Sequence, residues 1–160
     1  MAVNYKNTRG WRNNNPLNIV HSADQWLGAS PTQTDKRFVQ FKDMAYGYRA
    51  AIKTLQSYYN LFKGRGMTFN IDHIIRRWCP DGSENNYIAR VCRHTGFSST
   101  QELPEPKDPS AFRIFVLIMA AMTVQECGVP LRAIPWSSIM GGYWLAYKCK
   151  DDEFVPRLKS

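Results

Sequence analysis

One long apolar segment decides the fold: residues 112–128 read FRIFVLIMAAMTVQECG. Apolar side chains recur in it at steps of three and four residues, which predicts a buried helix. The buried stripe ends in Glu126, and Gly128 just beyond it is typical of a helix C-terminus. Burial and the negative end of the helix dipole both raise the pKa of a carboxyl group, so the pattern predicts a general acid. The plainer alternative is a glutamate that reaches solvent from a frayed last turn.

The chain has the size and composition of one globular domain. It has 160 residues, of which 44% are hydrophobic and 21% are charged, and this balance is ordinary for a folded protein. We expect one domain over residues 1–160, with residues 1–8 and 151–160 peripheral. The formal charge of +8 predicts attraction to an anionic polymer such as a bacterial wall glycan, an acidic membrane surface or nucleic acid. The basic residues are scattered, which makes a nucleic-acid partner the least expected of the three.

The sequence carries no pattern of a membrane protein or a metalloprotein. Its first residues lack the apolar core of a secretory signal, and the run 114–122 is too short to span a bilayer. We therefore expect synthesis in the cytoplasm without a signal peptide, and no stable membrane insertion. Cys79, Cys92, Cys127 and Cys149 do not have the spacing of a metal or redox motif, so no metal or cofactor is predicted.

Helical periodicity and helix-terminating residues recur along most of the chain. Predicted helices begin at Asp43, Asn70, Ser83 and Asp108 and near Pro135, and they end at Gly64, Pro80, Gly96, Gly128 and Tyr147. Before the first of them, the alternation in residues 38–41 and the short apolar run 17–20 predict a small β-hairpin lobe with loops. The predicted fold class is therefore mainly α (α+β), with a β-hairpin lobe near the N-terminus.

The segment RGWRNNNPLNI (residues 9–19) concentrates amide side chains, and Trp26 follows it. Amides bind sugar hydroxyls and N-acetyl groups, and aromatic faces stack on pyranose rings. Asn14, Asn15, Trp26 and, later in the chain, Tyr87 are therefore candidate substrate-binding residues. The alternative is that the asparagines build turns and Trp26 belongs to the core.

These pieces occur in a recognisable order. The order is an Asn-Asn-Pro-Leu-Asn-Ile turn, a Trp-Leu-Gly, an Arg-Phe-Val-Gln-Phe segment, a Gly-Tyr-Arg-Ala helix and a Trp-Cys-Pro…Glu-Asn-Asn-Tyr stretch. It resembles a phage and prophage virion-protein family with an Arg-Gly-x-Arg-Asn-Asn-Asn-Pro signature, over roughly residues 9–91. Members of that family are described as virion structural proteins or as lysozyme-like.

A second resemblance is to the glucosaminidases and lytic transglycosylases of the lysozyme superfamily. In those enzymes a helix ending in Glu-Ser-Gly precedes an Asn-Asn-Leu-Phe-Gly-Ile-like turn; here the similar turn comes first and the Gln125-Glu126-Cys127-Gly128 helix end comes last. A circular permutation would produce this order, and surface termini make one physically plausible. The resemblance implies a lysozyme-like fold, with Glu126 as the catalytic acid and Asp35 at the position of the second acidic residue.

Asp35 and Glu84 are the other candidate catalytic acids. Asp35 in a polar loop would stay ionised and could assist at the anomeric carbon, or it could cap a turn or pair with Arg37. Glu84 is the alternative acid, but in the first turn of a helix it should remain ionised and structural. One acid alone would favour a lytic transglycosylase.

The sequence therefore predicts cleavage of the peptidoglycan glycan strand, with action at the cell wall, in the periplasm or within a virion. Peptidoglycan is the expected partner, together with other virion or secretion-particle proteins. The alternative is a non-catalytic phage virion structural protein or cell-wall-binding protein.

Overall fold

The computed structural model describes residues 4–160. Within this range the backbone forms six α-helices and three short 3-10 helices. The α-helices are α1 (Arg9–Arg12), α2 (Met44–Gly64), α3 (Ile71–Trp78), α4 (Glu84–Thr95), α5 (Phe112–Cys127) and α6 (Trp136–Tyr147). The 3-10 helices are Tyr5–Asn7, Pro109–Ala111 and Leu131–Ala133. The mainly helical class predicted from the sequence is confirmed.

The predicted β-hairpin lobe is wrong. Over the described residues the segment before α2 contains two isolated antiparallel bridges, Val20 with Phe38 and Ala29 with Phe41, and no continuous strand. Side chains replace a regular ladder: the Nδ2 of Asn15 donates to the carbonyl oxygens of Ile19 and Val39. The segment is a set of turns stabilised by hydrogen bonds from asparagine side chains. An alternating apolar pattern alone does not distinguish such turns from a strand.

Helix α5 forms the centre of the domain. It contacts α1, α2, α4 and α6, and ten of its side chains are buried, which explains why it is apolar on every face. The stretch Pro109–Cys127 is long and apolar enough to cross a membrane, and 67% of its most apolar window is buried inside the domain. The end of α5 is therefore held in a fixed position by the surrounding helices.

The C-terminal segment is packed more closely than the predicted peripheral role implies. Leu158 is buried in the core, and the backbone N–H of Lys159 donates to the carbonyl oxygen of His94 on α4. Asp151 pairs with Arg113 at 2.6 Å. Residues 151–160 thus cover one side of the helical core. Of the N-terminal stretch 1–8, residues 1–3 lie outside the described range.

Gly142 lets α6 lie directly against α2. A Cβ at this position would lie 2.6 Å from the Cβ of Tyr48 and 2.8 Å from the backbone N of Arg49. We expect Gly142→Ala to destabilise the protein by about 2–3 kcal/mol, because the two helices would have to separate. The matched control is Gly141→Ala, whose Cβ would meet only Ala45, at an ordinary 3.5 Å. In urea unfolding the control should be neutral or stabilising by up to about 1 kcal/mol; equal losses in both variants would contradict the assigned crossing.

Candidate functional site

Glu126 lies in the last turn of α5, held by side chains from two distant parts of the chain. Asn18 donates through Nδ2 to its Oε2 at 2.9 Å, and the hydroxyl of Tyr87 donates to its Oε1 at 3.2 Å. Gly128 adopts a left-handed conformation, with φ 65°, and ends the helix in an ordered cap. The carboxyl group is therefore fixed in place, in contrast to the frayed and solvated alternative.

The surroundings of Glu126 favour its protonated form. Burial raises the pKa of Glu126, and the negative charge of Asp81 raises it further. The hydrogen bonds from Asn18 and Tyr87, with Trp78 acting in the same direction, oppose this shift in part, and the net pKa is above the ordinary value. A carboxyl group with a raised pKa can donate a proton nearer neutral pH than an exposed glutamate can.

This pKa shift gives a testable dependence of stability on pH. Because the pKa of Glu126 is higher in the folded than in the unfolded chain, proton binding favours folding. That contribution is complete below the ordinary glutamate pKa of about 4.3 and is lost as pH rises through the raised value. At about pH 7, Glu126→Gln should therefore be more stable than the wild type, and the difference should shrink towards about pH 4. Chemical unfolding at both pH values checks it; a less stable variant at neutral pH would contradict it.

The amide-rich segment forms the turn that places Asn18 next to Glu126. Asn14 adopts a left-handed conformation, with φ 52°, and its Nδ2 donates to the carbonyl oxygen of Phe41. Asn15 is fully buried, and its Oδ1 accepts from the backbone N–H of Ile19. The predicted contact of Asn15 with sugar is thus corrected, because both ends of its amide are bound inside the protein. Asn14 also serves the turn through its Nδ2.

Asn18 lies at the site but is not among the site residues predicted from the sequence. It too has a positive φ, 57°, which directs its side chain to Glu126, while its Oδ1 is buried without a hydrogen-bond partner among the described residues. Gly10 lies directly behind it: a Cβ on Gly10 would be 3.0 Å from that Oδ1 and 2.9 Å from the carbonyl oxygen of Asn15. The glycine and the asparagines of the motif therefore act together to place one amide against the acid. The Asn-Pro-Leu-Asn-Ile turn was the available sequence signal.

Asp35 has a structural role, because its carboxylate is bound by several groups of the protein. Arg9 donates to it in a bidentate pair at 2.6 and 2.7 Å, and Asn13 and the backbone N–H groups of Arg37 and Phe38 donate as well. These hydrogen bonds, that of Arg9 above all, hold the pKa of Asp35 well below its ordinary range. Its side chain is 8% exposed, so the turn-capping alternative fits and the role of second catalytic carboxylate does not.

A groove of about 230 Å³ lies beside the acid, and we call it the proximal pocket. Its polar lining comes from Asn18, Ser22, Asp24 and Thr54, and its apolar and aromatic lining from Ile19, Val20, Trp26, Tyr58 and Trp78. Asn18 both lines the pocket and binds Glu126, so the carboxyl group lies next to a lining residue without lining the groove itself. Trp26 is one of the residues that line this groove.

Tyr87 and Glu84, both on α4, have separate positions. Tyr87 is 1% exposed, so its hydroxyl orients Glu126 and its ring cannot offer a face to a sugar. Glu84 is half-buried at the start of the helix, where it accepts from the backbone N–H of Gly82. This contact is the structural role expected of a first-turn glutamate.

Trp78 and Asp24 line the groove but are not among the candidates predicted from the sequence. Trp78 ends α3 and lines the proximal pocket, and Asp24 lines it as an exposed carboxylate bonded to the Ser22 hydroxyl. Trp78 belongs to the Trp-Cys-Pro stretch of the family resemblance. Asp24 had no local signal, because its significance depends on the folding of its loop over α2. In the described part of the chain, no three His, Cys, Asp or Glu side chains are grouped to hold a metal ion.

Comparison with known proteins identifies a phage relative. No family model matches the chain. Protein P5 of Pseudoalteromonas phage PM2 is 34% identical to it over 113 residues, which is 68% of each of the two chains. The matched region at this level of identity covers most of both proteins. The chain belongs to the family of the phage PM2 protein P5.

Proposed function

We propose that this protein cleaves the glycan strand of peptidoglycan, with Glu126 as the general acid. The observation that carries the proposal is the half-buried carboxyl group of Glu126, which is bound by Asn18 and Tyr87, while Asn18 also lines an aromatic groove. Its raised pKa suits the protonation of a leaving oxygen. The resemblance of the turn and the helix end to lysozyme-superfamily glycosidases, with their order permuted, supports the same activity and a lysozyme-like fold.

In the proposed reaction Glu126 donates its proton to the glycosidic oxygen as the bond from C1 to that oxygen breaks. Tyr87 and Asn18 fix the orientation of the carboxyl group, so that little reorganisation accompanies the transfer. Trp26, Tyr58 and Trp78 provide aromatic surface for the sugar rings. The net charge of +8 draws the protein to the acidic polymers of the wall.

The group that attacks C1 determines the product. Because Asp35 is occupied by Arg9 and Asn13, the single acid Glu126 favours lytic transglycosylation. In that reaction the 6-hydroxyl of the same sugar attacks C1, its proton passes to the Glu126 carboxylate, and an anhydro sugar is released. Hydrolysis would instead require a carboxylate that activates water, and Asp24 is the carboxylate that lines the proximal pocket.

Digestion of purified peptidoglycan tests this proposal. The wild type should release soluble fragments whose masses identify the product, since an anhydro end is one water lighter than a reducing end. Release of reducing ends would replace transglycosylation by hydrolysis. Binding to several wall types with no release would overturn the enzymatic proposal.

A second function is favoured by the phage relative. A virion structural or wall-binding protein could keep the groove without turnover. Such a protein would sediment with the wall material and leave its glycan strands intact, which separates it from the enzyme in the same digestion. For either function, we propose that the protein acts at the cell wall or as part of a phage particle.

A further inference from the structure

A second pocket continues the groove on the far side of Trp26. It has a volume of about 440 Å³, and we call it the distal pocket. Ser22, Asp24 and Trp26 line both pockets, while His21, Gln25 and Pro31 belong to the distal pocket alone. The two cavities are therefore neighbouring parts of one surface depression, with the Trp26 side chain between them.

The loop that carries Trp26 is built to present this side chain. Gly28 adopts a positive φ of 79° and lies against the ring of Tyr46, where a Cβ would have no room. The carbonyl oxygen of Gly28 accepts from the backbone N–H of Lys42. These contacts attach the loop to the beginning of α2. They fix the backbone next to Trp26, the residue that lines both pockets.

Two exposed apolar side chains lie in the chain segment that contributes most of this lining. Among the described residues, Val20 and Leu27 are two of only four large apolar side chains that are exposed, at 49% and 55%. Val20 lines the proximal pocket, and Leu27 follows Trp26 in the chain. The exposed apolar side chain of Val20 beside tryptophan and polar side chains in the proximal pocket matches the amphipathic surface of an N-acetylated sugar chain, whose ring faces are apolar and whose edges are polar.

We infer that the ligand is a strand of several β-1,4-linked N-acetylamino sugars that extends from Glu126 through the proximal pocket, past Trp26 and into the distal pocket. This inference rests on the proposed function and deepens it. A strand held on both sides of Trp26 places several sugars beyond the bond next to Glu126. Cleavage would therefore occur within strands and release fragments of several sugars.

Calorimetric binding of N-acetylglucosamine oligomers to the Glu126→Gln variant tests the inference without turnover. A hexasaccharide should bind at least about tenfold more tightly than a disaccharide. Adding Trp26→Ala should reduce that ratio to less than about threefold, and adding Gln25→Ala, an exposed position in the distal pocket alone, should weaken only the hexasaccharide. Trp144→Ala is the matched control, because Trp144 is an exposed tryptophan on α6 that lines neither pocket.

Equal affinities for the two oligomers would overturn the distal pocket as a sugar site, and so would an equal loss for both in Trp26→Ala. If the wild type cleaves peptidoglycan in such a case, the proposed function stands and this inference alone fails. If neither oligomer binds and no wall fragment is released, both fail.

Discussion

Glu126→Gln should lower the rate of peptidoglycan cleavage by about two to four orders of magnitude, the usual contribution of a general acid. Glutamine has nearly the same shape and can contact both partners: its carbonyl can accept from Asn18 as the carboxylate does, and its NH₂ can donate to the Tyr87 hydroxyl, which reverses the direction of that hydrogen bond. It has no carboxyl proton to give to the leaving oxygen. Fragment release from labelled peptidoglycan measures the loss, and wall sedimentation should show unchanged binding.

Glu84→Gln is the matched control for this experiment. Glu84 is the competing acid, and it accepts from the backbone N–H of Gly82 at the start of α4. The same change of carboxyl to amide there should leave the cleavage rate within about twofold, since a group that only binds the start of a helix contributes little to a transition state. A variant at position 126 that cleaves at the wild-type rate, or a larger loss at position 84, would transfer the catalytic role away from Glu126.

Gly47→Ala should destabilise the protein by about 2–3 kcal/mol and lower its activity as well. Gly47 is buried in the first turns of α2, where an added Cβ would overlap the carbonyl oxygen of Asn14 and lie 3.3 Å from the Cα of Asn15. Backbone lies on both sides of this contact, so neither side can yield without moving the turn. That turn carries Asn18 to Glu126, and a displacement of it would loosen the hydrogen bond to the acid.

Gly64→Ala in the last turn of the same helix is the control. A Cβ at Gly64 meets nothing within 4 Å, so the substitution should be neutral or stabilising by up to about 1 kcal/mol. Urea unfolding and fragment release on the two variants check the pair. If Gly47→Ala unfolds at the wild-type midpoint with full activity, the close packing of the turn on α2 is contradicted.

The helices could be predicted because their signals are local. Asp43 and Asn70 accept from the backbone N–H groups of Ala45 and His73 at the starts of α2 and α3, as their positions before apolar periodic runs indicated. Gly96 ends α4 in the left-handed conformation that favours glycine. Ser83 differs: it precedes α4, but its hydroxyl donates to Asp81 instead of capping the helix.

The region before α2 could not be predicted in the same way, because its structure depends on contacts between residues far apart in sequence. The backbone of residues 38–41 finds partners in the turn of residues 13–19 and in the side chains of Asn14 and Asn15. An alternating apolar pattern contains no information about such partners. The result is irregular backbone where a hairpin was expected.

In the candidate site too, some features depend on local sequence and others on contacts between distant residues. The partial burial of Glu126 and its place at a helix end follow from the residues around it in sequence. Its partner Asn18 is 108 residues away, and the pairing of Asp35 with Arg9 spans 26 residues. The sequence therefore indicates which carboxyl group is desolvated at a helix end, whereas only the fold shows which amide binds it and which other acid is already paired.

The most direct test of the central claim is a crystal structure of the Glu126→Gln variant soaked with a β-1,4-linked N-acetylglucosamine hexasaccharide. We predict a sugar chain in the proximal pocket, in contact with Trp26 and Trp78, with a glycosidic oxygen within about 3 Å of the side chain at position 126. A chain bound with every glycosidic oxygen out of reach of that side chain, or an empty groove at saturating ligand, would contradict Glu126 as the acid of a glycan-cleaving site.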